Sequence, residues 1–324
     1  MKKKLKLGLA LGAGGARGLA HIGVLKALHD AGIQPDFLAG TSMGAVIGAL
    51  YAVGKSPEEI EEIVKTTDWQ RMMDVTVPKT GFLQGKIVEE HLRELLWNKP
   101  FHRLKIPLHI VAYNLSKKKE VIFSTGDVAQ AVRASISIPG VFSPAHIKRD
   151  EYIDGAVTNP TPFDVVRNMG ADTVIAVDLF PKRSSMQGPL LQKSSLVQDI
   201  EKKFVEEELR EVKKLIFPEA WPSFLRKVLV WGFDKLLYPA RVLRVMTGKE
   251  LPPIGKVMLK TMNILMNNLA RERLKCAQVE IKVTPVFEGL TWADFDKADI
   301  FMALGEKAMK KELPKLKRMM RKAK

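Results

Sequence analysis

Phe37-Leu38-Ala39-Gly40-Thr41-Ser42-Met43-Gly44, running on into the apolar stretch Ala45 to Val53, decides how this 324-residue chain is read. A short apolar run, a sharp turn and a helix-like run are the setting in which G-x-S-x-G acts as a nucleophile elbow. The turn forces Ser42 into a strained backbone, and side chains at its flanks would collide. Gly40 and Gly44 therefore stand outside the pair Thr41 and Met43. A glycine-rich turn that merely joins a strand to a helix is the alternative these residues leave open.

Upstream, Lys6 to Leu11 reads as a buried strand. Gly12-Ala13-Gly14-Gly15-Ala16-Arg17-Gly18 follows, then an apolar-periodic helix from Leu19 to Ala31. Such a strand-to-helix turn leaves backbone N–H groups unpaired at a helix N-terminus, which attracts negative charge. A dinucleotide pyrophosphate and the oxyanion of an acyl-transfer intermediate are the two candidates. The dinucleotide fingerprint fits poorly: Arg17 stands where its third glycine belongs, and Asp36 begins the second strand instead of ending it. An oxyanion hole beside a serine elbow accounts for both glycine clusters.

A nucleophilic serine needs a base. The six histidines are His21, His29, His91, His102, His109 and His146, so none follows position 146. The α/β-hydrolase order requires a late histidine and several strands before the elbow, and fails on both counts. A carboxylate remains. Asp154-Gly155-Ala156, after an expected strand over His146 to Ile153, stands out, although an Asp-Gly pair also makes ordinary turns.

With these blocks in hand, the chain resembles the patatin-like phospholipases, most closely in pattern the bacterial members. The likeness rests on the glycine-rich loop with Arg17, G-x-S-x-G at 40–44 and D-G-A at 154–156. Asn159-Pro160 and Arg133-Ala134-Ser135-Ile136-Ser137-Ile138-Pro139-Gly140 add to it, the latter as a block that packs near the active site. It covers roughly residues 5–180, and more loosely Val279 to Leu313. Ala13 departs from it, standing at the first glycine of the family's G-x-G-x-x-G frame. The resemblance implies a Ser–Asp dyad with Ser42 as nucleophile and Asp154 as base. It also implies backbone donors at Gly14, Gly15, Ala16 and Arg17, and lipid acyl esters as substrates. Two-step acyl transfer follows, with an aspartate ionised at neutral pH and so available as base without tuning. A carboxylesterase for short soluble esters, and a lipid-binding protein with a vestigial site, are the competing readings.

The fold expected is α/β: a mostly parallel central sheet flanked by helices, a patatin-like three-layer sandwich with a helical insertion. The hydrolytic domain is expected over 5–313, with the insertion at 190–274 inside it and a basic tail at 307–324. Within the insertion, Trp221 to Tyr238 mixes aromatics with Arg226, Lys227 and Lys235, as interfacial helices do. Ile254 to Arg273 carries Met258, Met262 and Met266, which suit the lining of an acyl pocket. Lys and Arg number 52 against 36 Asp and Glu, a net charge of +16. Nine of those basic residues lie in 307–324 with Glu312 as the sole acid there. Peripheral contact with anionic membrane through Trp221–Tyr238 and this tail is expected; a solvated, frayed terminus is the plain alternative. Specific nucleic-acid binding is not expected, and homo-oligomerisation is an open expectation. Cys276 is the lone cysteine and the histidines lack ligand spacing, so neither metal nor cofactor is expected. The Lys2–Lys4 start imitates a signal peptide, but its apolar run reads as the first core strand, which points to a cytoplasmic protein.

Overall fold

The computed structural model describes residues 5–68, 71–72, 74, 81–180 and 253–323. The Trp221–Tyr238 stretch and most of the expected insertion lie outside them. Strand β1 (Leu7–Leu11) is buried along its whole length, as a parallel strand covered on both faces must be. It pairs in parallel with β2 (Phe37–Thr41) on one side and β9 (Thr173–Val177) on the other. Beyond these, β4 (Leu108–Asn114) extends the parallel sheet past β2, and β10 (Ile281–Val283) extends it past β9. Helices α1 (Ala20–Asp30), α2 (Met43–Val53) and α5 (Val128–Ser135) contribute to one core with Leu7, Leu9 and Leu11. Alternation along the strand sends Ala10 to the other face, where it meets Val165 and Val166 of α6 (Phe163–Asn168). Helices thus cover both faces.

The antiparallel strands β5 (Lys119–Phe123), β7 (Ala145–Ile147) and β8 (Asp150–Asp154) gather around β4. A strand has two edges. Residues 112–114 of β4 pair with both β5 and β8, so these occupy opposite edges; residues 110–111 pair with both β2 and β5. Strands β2 and β8 therefore share one edge of β4 and meet end to end. Thr41 lies opposite Val111 and Asp154 opposite Ala112, one step further along. This register brings the end of one strand to the end of the other.

The expected single strand over 146–153 is instead a hairpin of β7 and β8, turned at Lys148 in the left-handed region, φ 58°. Helix α7 (Pro253–Lys275) agrees with the helical stretch expected over Ile254 to Arg273. The tail departs from a frayed terminus: α8 (Ala298–Ala323) is one helix that runs through 307, with Met309 and Leu316 fully buried. It crosses α1 at close range. A Cβ on Gly305 would lie 1.9 Å from the Ala20 carbonyl oxygen, and one on Gly23 1.9 Å from that of Met302. Further along α8, Lys315 Nζ donates to the Glu280 carbonyl at the entrance of β10, the sheet edge opposite Ser42. No helix among the described residues is long and apolar enough to cross a membrane.

Candidate active site

Ser42 sits between β2 and α2 at φ 56°, ψ −125°, a conformation costly for any residue with a Cβ. Its surroundings hold it there. Ser42 N–H donates to Ser135 Oγ at 2.8 Å, and Ser135 Oγ donates in turn to the Val111 carbonyl at 2.6 Å. The Thr41 hydroxyl donates to the Asn159 carbonyl at 2.9 Å. Gly44 faces the Leu11 carbonyl so closely that a Cβ would stand 2.1 Å from it, so only glycine lets the elbow pack on β1.

The serine hydroxyl faces the Asp154 carboxylate across a cleft and helps hold its pKa down. Asp154 Oδ1 also accepts the Ala156 N–H at 2.8 Å, and Asp154 N–H donates to the Ser137 carbonyl at 3.0 Å. Gly155 passes close under Val111, where a Cβ would come within 2.4 Å of its oxygen. Burial pushes the Asp154 carboxyl up to about 7 against the lowering by Ser42 and by the Ala156 N–H. The sequence expectation of an untuned aspartate is thus corrected, because the side chain is 1% exposed.

The glycine loop completes the constellation. Gly14, Gly15, Arg17, Ser42 and Asp154 border one cleft of about 60 Å³. Of the four amides expected as oxyanion donors, two are engaged elsewhere. Ala16 N–H donates to the Trp292 carbonyl at 2.7 Å and Arg17 N–H to the Gly14 carbonyl at 3.2 Å. Gly14 and Gly15 N–H have no acceptor among the described residues. Gly15 has φ 56°, and a Cβ there would stand 2.5 Å from the Trp292 oxygen. Ala13 is absent from the positive-φ residues, so alanine carries no backbone penalty there. Its methyl is buried with Ala156, Phe180 and Ala270, the last from α7. Behind the loop, His21 Nε2 meets the Gly12 carbonyl at 2.7 Å. Burial lowers its pKa to about 4, so the ring is neutral and donates this bond.

Helix α7 roofs the cleft with Met262, Asn263 and Met266, joined by Ile138, Phe180 and Trp292. The methionines were anticipated at helical spacing. Trp292 and Ser135 were not assigned roles: Ser135 lay within a recognised block, whereas nothing local marks Trp292. Arg133 fastens that block. Its Nη1 donates to Ser137 Oγ at 2.6 Å, and Nη2 to the carbonyls of Ser143 (2.9 Å) and Gln84. Among the described residues no group of three or more His, Cys, Asp or Glu could hold a metal ion.

Residues 9–167 match the family model of the patatin-like phospholipases. An uncharacterized NTE family protein of Mycobacterium tuberculosis is 36% identical over 176 residues, covering 54% of this chain and 49% of that protein. Human patatin-like phospholipase domain-containing protein 6 is 34% identical over 183 residues, covering 53% of this chain and 13% of its own. The chain thus spans about half the length of the mycobacterial relative and far less of the human one. The crystal structure of VipD from Legionella pneumophila aligns with 98% of this chain and 67% of that chain, at 14% identity and a TM-score of 0.46.

Proposed function

We propose that the chain, whose residues 9–167 match the patatin-like phospholipase family model, is a serine hydrolase of lipid acyl esters. Ser42 is the nucleophile and Asp154 its base. The observation that carries the reading is the meeting of Ser42, the buried Asp154 carboxylate and the Gly14–Gly15 turn in one cleft. Asp154 takes the proton as Oγ attacks the ester carbonyl, and the amides of Gly14 and Gly15 receive the oxyanion. The leaving alcohol takes that proton. Water, activated by the same carboxylate, then hydrolyses the acyl-enzyme.

The carboxylate is the competent form, and its pKa lies near 7. Activity therefore rises with pH through about 7 and levels off above it. Met262, Met266 and Trp292 suit the acyl chain, since thioethers adapt to irregular apolar shapes. Ile264 and Leu265 expose apolar side chains on the outer side of the same helix, which suits contact with a lipid aggregate.

The test is hydrolysis of phospholipids, lysophospholipids and short soluble esters, with products identified by mass spectrometry and Ser42 labelled by a fluorophosphonate. Ser42→Ala and Asp154→Asn should each fall to background. Retained turnover in either variant removes that residue from its role, and activity confined to short esters removes the lipid assignment.

A further inference from the structure

The glycine loop is fastened from outside the family-matched stretch. Trp292 offers its carbonyl to Ala16 N–H at 2.7 Å, and Leu290 offers its own to Arg17 Nη2 at 3.2 Å. Gly15 packs against the same Trp292 backbone. The segment that makes these contacts is itself tied: Asp294, 4% exposed, accepts the Thr291 N–H at 2.7 Å. Lys297 Nζ approaches the same carboxylate oxygen at 3.7 Å from the more exposed side. Both ends of the loop's working part, Gly15 and Arg17, thus meet residues 290–294.

We infer that Leu290–Asp294 is a clamp that holds the Gly14 and Gly15 amides in place, with Asp294 a positioning residue acting through the Thr291 N–H it accepts. The inference rests on the hydrolase reading and adds a component that the 9–167 match does not contain. The physical reason lies in the loop's composition. A glycine-rich loop has many accessible conformations, and aligned donors work only if they are fixed before the oxyanion forms. Ala16 and Arg17 spend their polar groups on the clamp and their neighbours are left to act. A buried guanidinium is costly without a counter-charge. Burial lowers the Arg17 pKa to about 10, and the Asp294 carboxylate opposes that shift. Thr291 lies between the two carbonyls, so weakening its acceptor at Asp294 should loosen Leu290 and Trp292 first and the amides after them.

The experiment compares Asp294→Asn, Asp294→Glu and the control Lys297→Met in the full chain, measuring kcat, KM and affinity for a trifluoromethyl ketone analogue of the substrate. Asp294→Asn should lose about 10- to 100-fold in kcat and in ketone affinity, with KM changed less than about 2-fold. Asp294→Glu should regain part of that loss, and Lys297→Met should match wild type. A role confined to folding would lower Tm but leave kcat of the folded protein unchanged, and that result overturns the clamp. If Asp294→Asn does not fold, Arg17→Lys makes the same test, because it keeps the charge and loses the fork that reaches Leu290. Wild-type kcat in folded Arg17→Lys is then the overturning result. Wild-type protein that neither hydrolyses esters nor takes up fluorophosphonate brings down the hydrolase reading and the clamp together. An active wild type with an unaffected Asp294→Asn brings down the clamp alone.

Discussion

Asp154 carries a stability cost that comes from its burial. Its folded pKa, about 7 against 3.8 for the free group, is raised by burial. The unfolded chain releases the proton near pH 4 and the folded chain near pH 7. Stability from this group is therefore highest below pH 4 and is lost as pH rises to 7, by about 4 kcal/mol in full. His21 runs the other way: with a folded pKa of about 4 against 6.5, it costs stability as pH falls from 6.5 to 4. Between pH 4 and 6.5 the two slopes oppose each other. Asp154→Asn should remove one of them. Urea unfolding should then show a variant more stable than wild type at pH 8. Its stability should also climb with pH between 4 and 6.5 by about 1.4 kcal/mol per unit. A wild-type-like pH profile in the variant would contradict the buried, protonatable carboxylate.

Ser135 bears on the nucleophile without facing the cleft. Ser135→Ala leaves a buried Ser42 N–H and the Val111 carbonyl each short of a partner, at about 1–3 kcal/mol. It should also let the strained elbow relax. Lower kcat with near-constant KM, alongside a reduced Tm, is the expected pair of results; unchanged kcat would deny the elbow its dependence on this hydroxyl.

Between elements, the decisive contact is the crossing of α1 and α8. Gly23 and Gly305 allow each helix backbone to touch the other, since their hypothetical Cβ atoms would overlap carbonyl oxygens. Backbone cannot swing aside as a side chain can, so Gly305→Ala has to push the helices apart. A loss of at least 1–3 kcal/mol, the order found for overpacked cores, is expected in chemical denaturation. Gly32→Ala serves as a contrast: nothing lies within 4 Å of its Cβ position, so its cost comes from its positive φ alone. Equal losses at the two positions would mean that the close crossing is not what glycine provides at 305.

Across the whole molecule, the catalytic end and the basic end of the sheet are separate. Ser42 follows the exit of β2, whereas Lys315 reaches the entrance of β10. The charges that follow Lys315 therefore do not border the cleft. Replacing Lys317, Arg318, Arg321 and Lys322 by Gln should leave kcat/KM on a soluble, uncharged ester within about 2-fold, because charge beyond a Debye length of the cleft is largely screened. Removal of residues 309–324 is a different operation, since Met309 and Leu316 are core residues. That truncation should abolish the cooperative thermal transition. A folded, active truncation would show that α8 is an appendage.

Much of the fold and of the site was legible because it is written locally. G-T-S-M-G between an apolar run and a helical run points to an elbow from its own residues, and the apolar runs of β1 and β2, each followed by a helix-like stretch, announce a parallel sheet. Met262 and Met266 came from helical spacing in the same way. Residues 146–153 look uniformly strand-like, yet Lys148 turns them into a hairpin, and that hairpin delivers Asp154 against the same edge of β4 that receives Thr41. The candidate nucleophile, the candidate oxyanion loop and the α/β class are read from short-range pattern, since steric and hydrogen-bonding rules act between near neighbours. The burial that lifts Asp154, the engagement of the Ala16 amide, and the reach of Trp292 into the cleft arise from parts of the chain more than a hundred residues apart. Desolvation and register exist only once those parts are packed together.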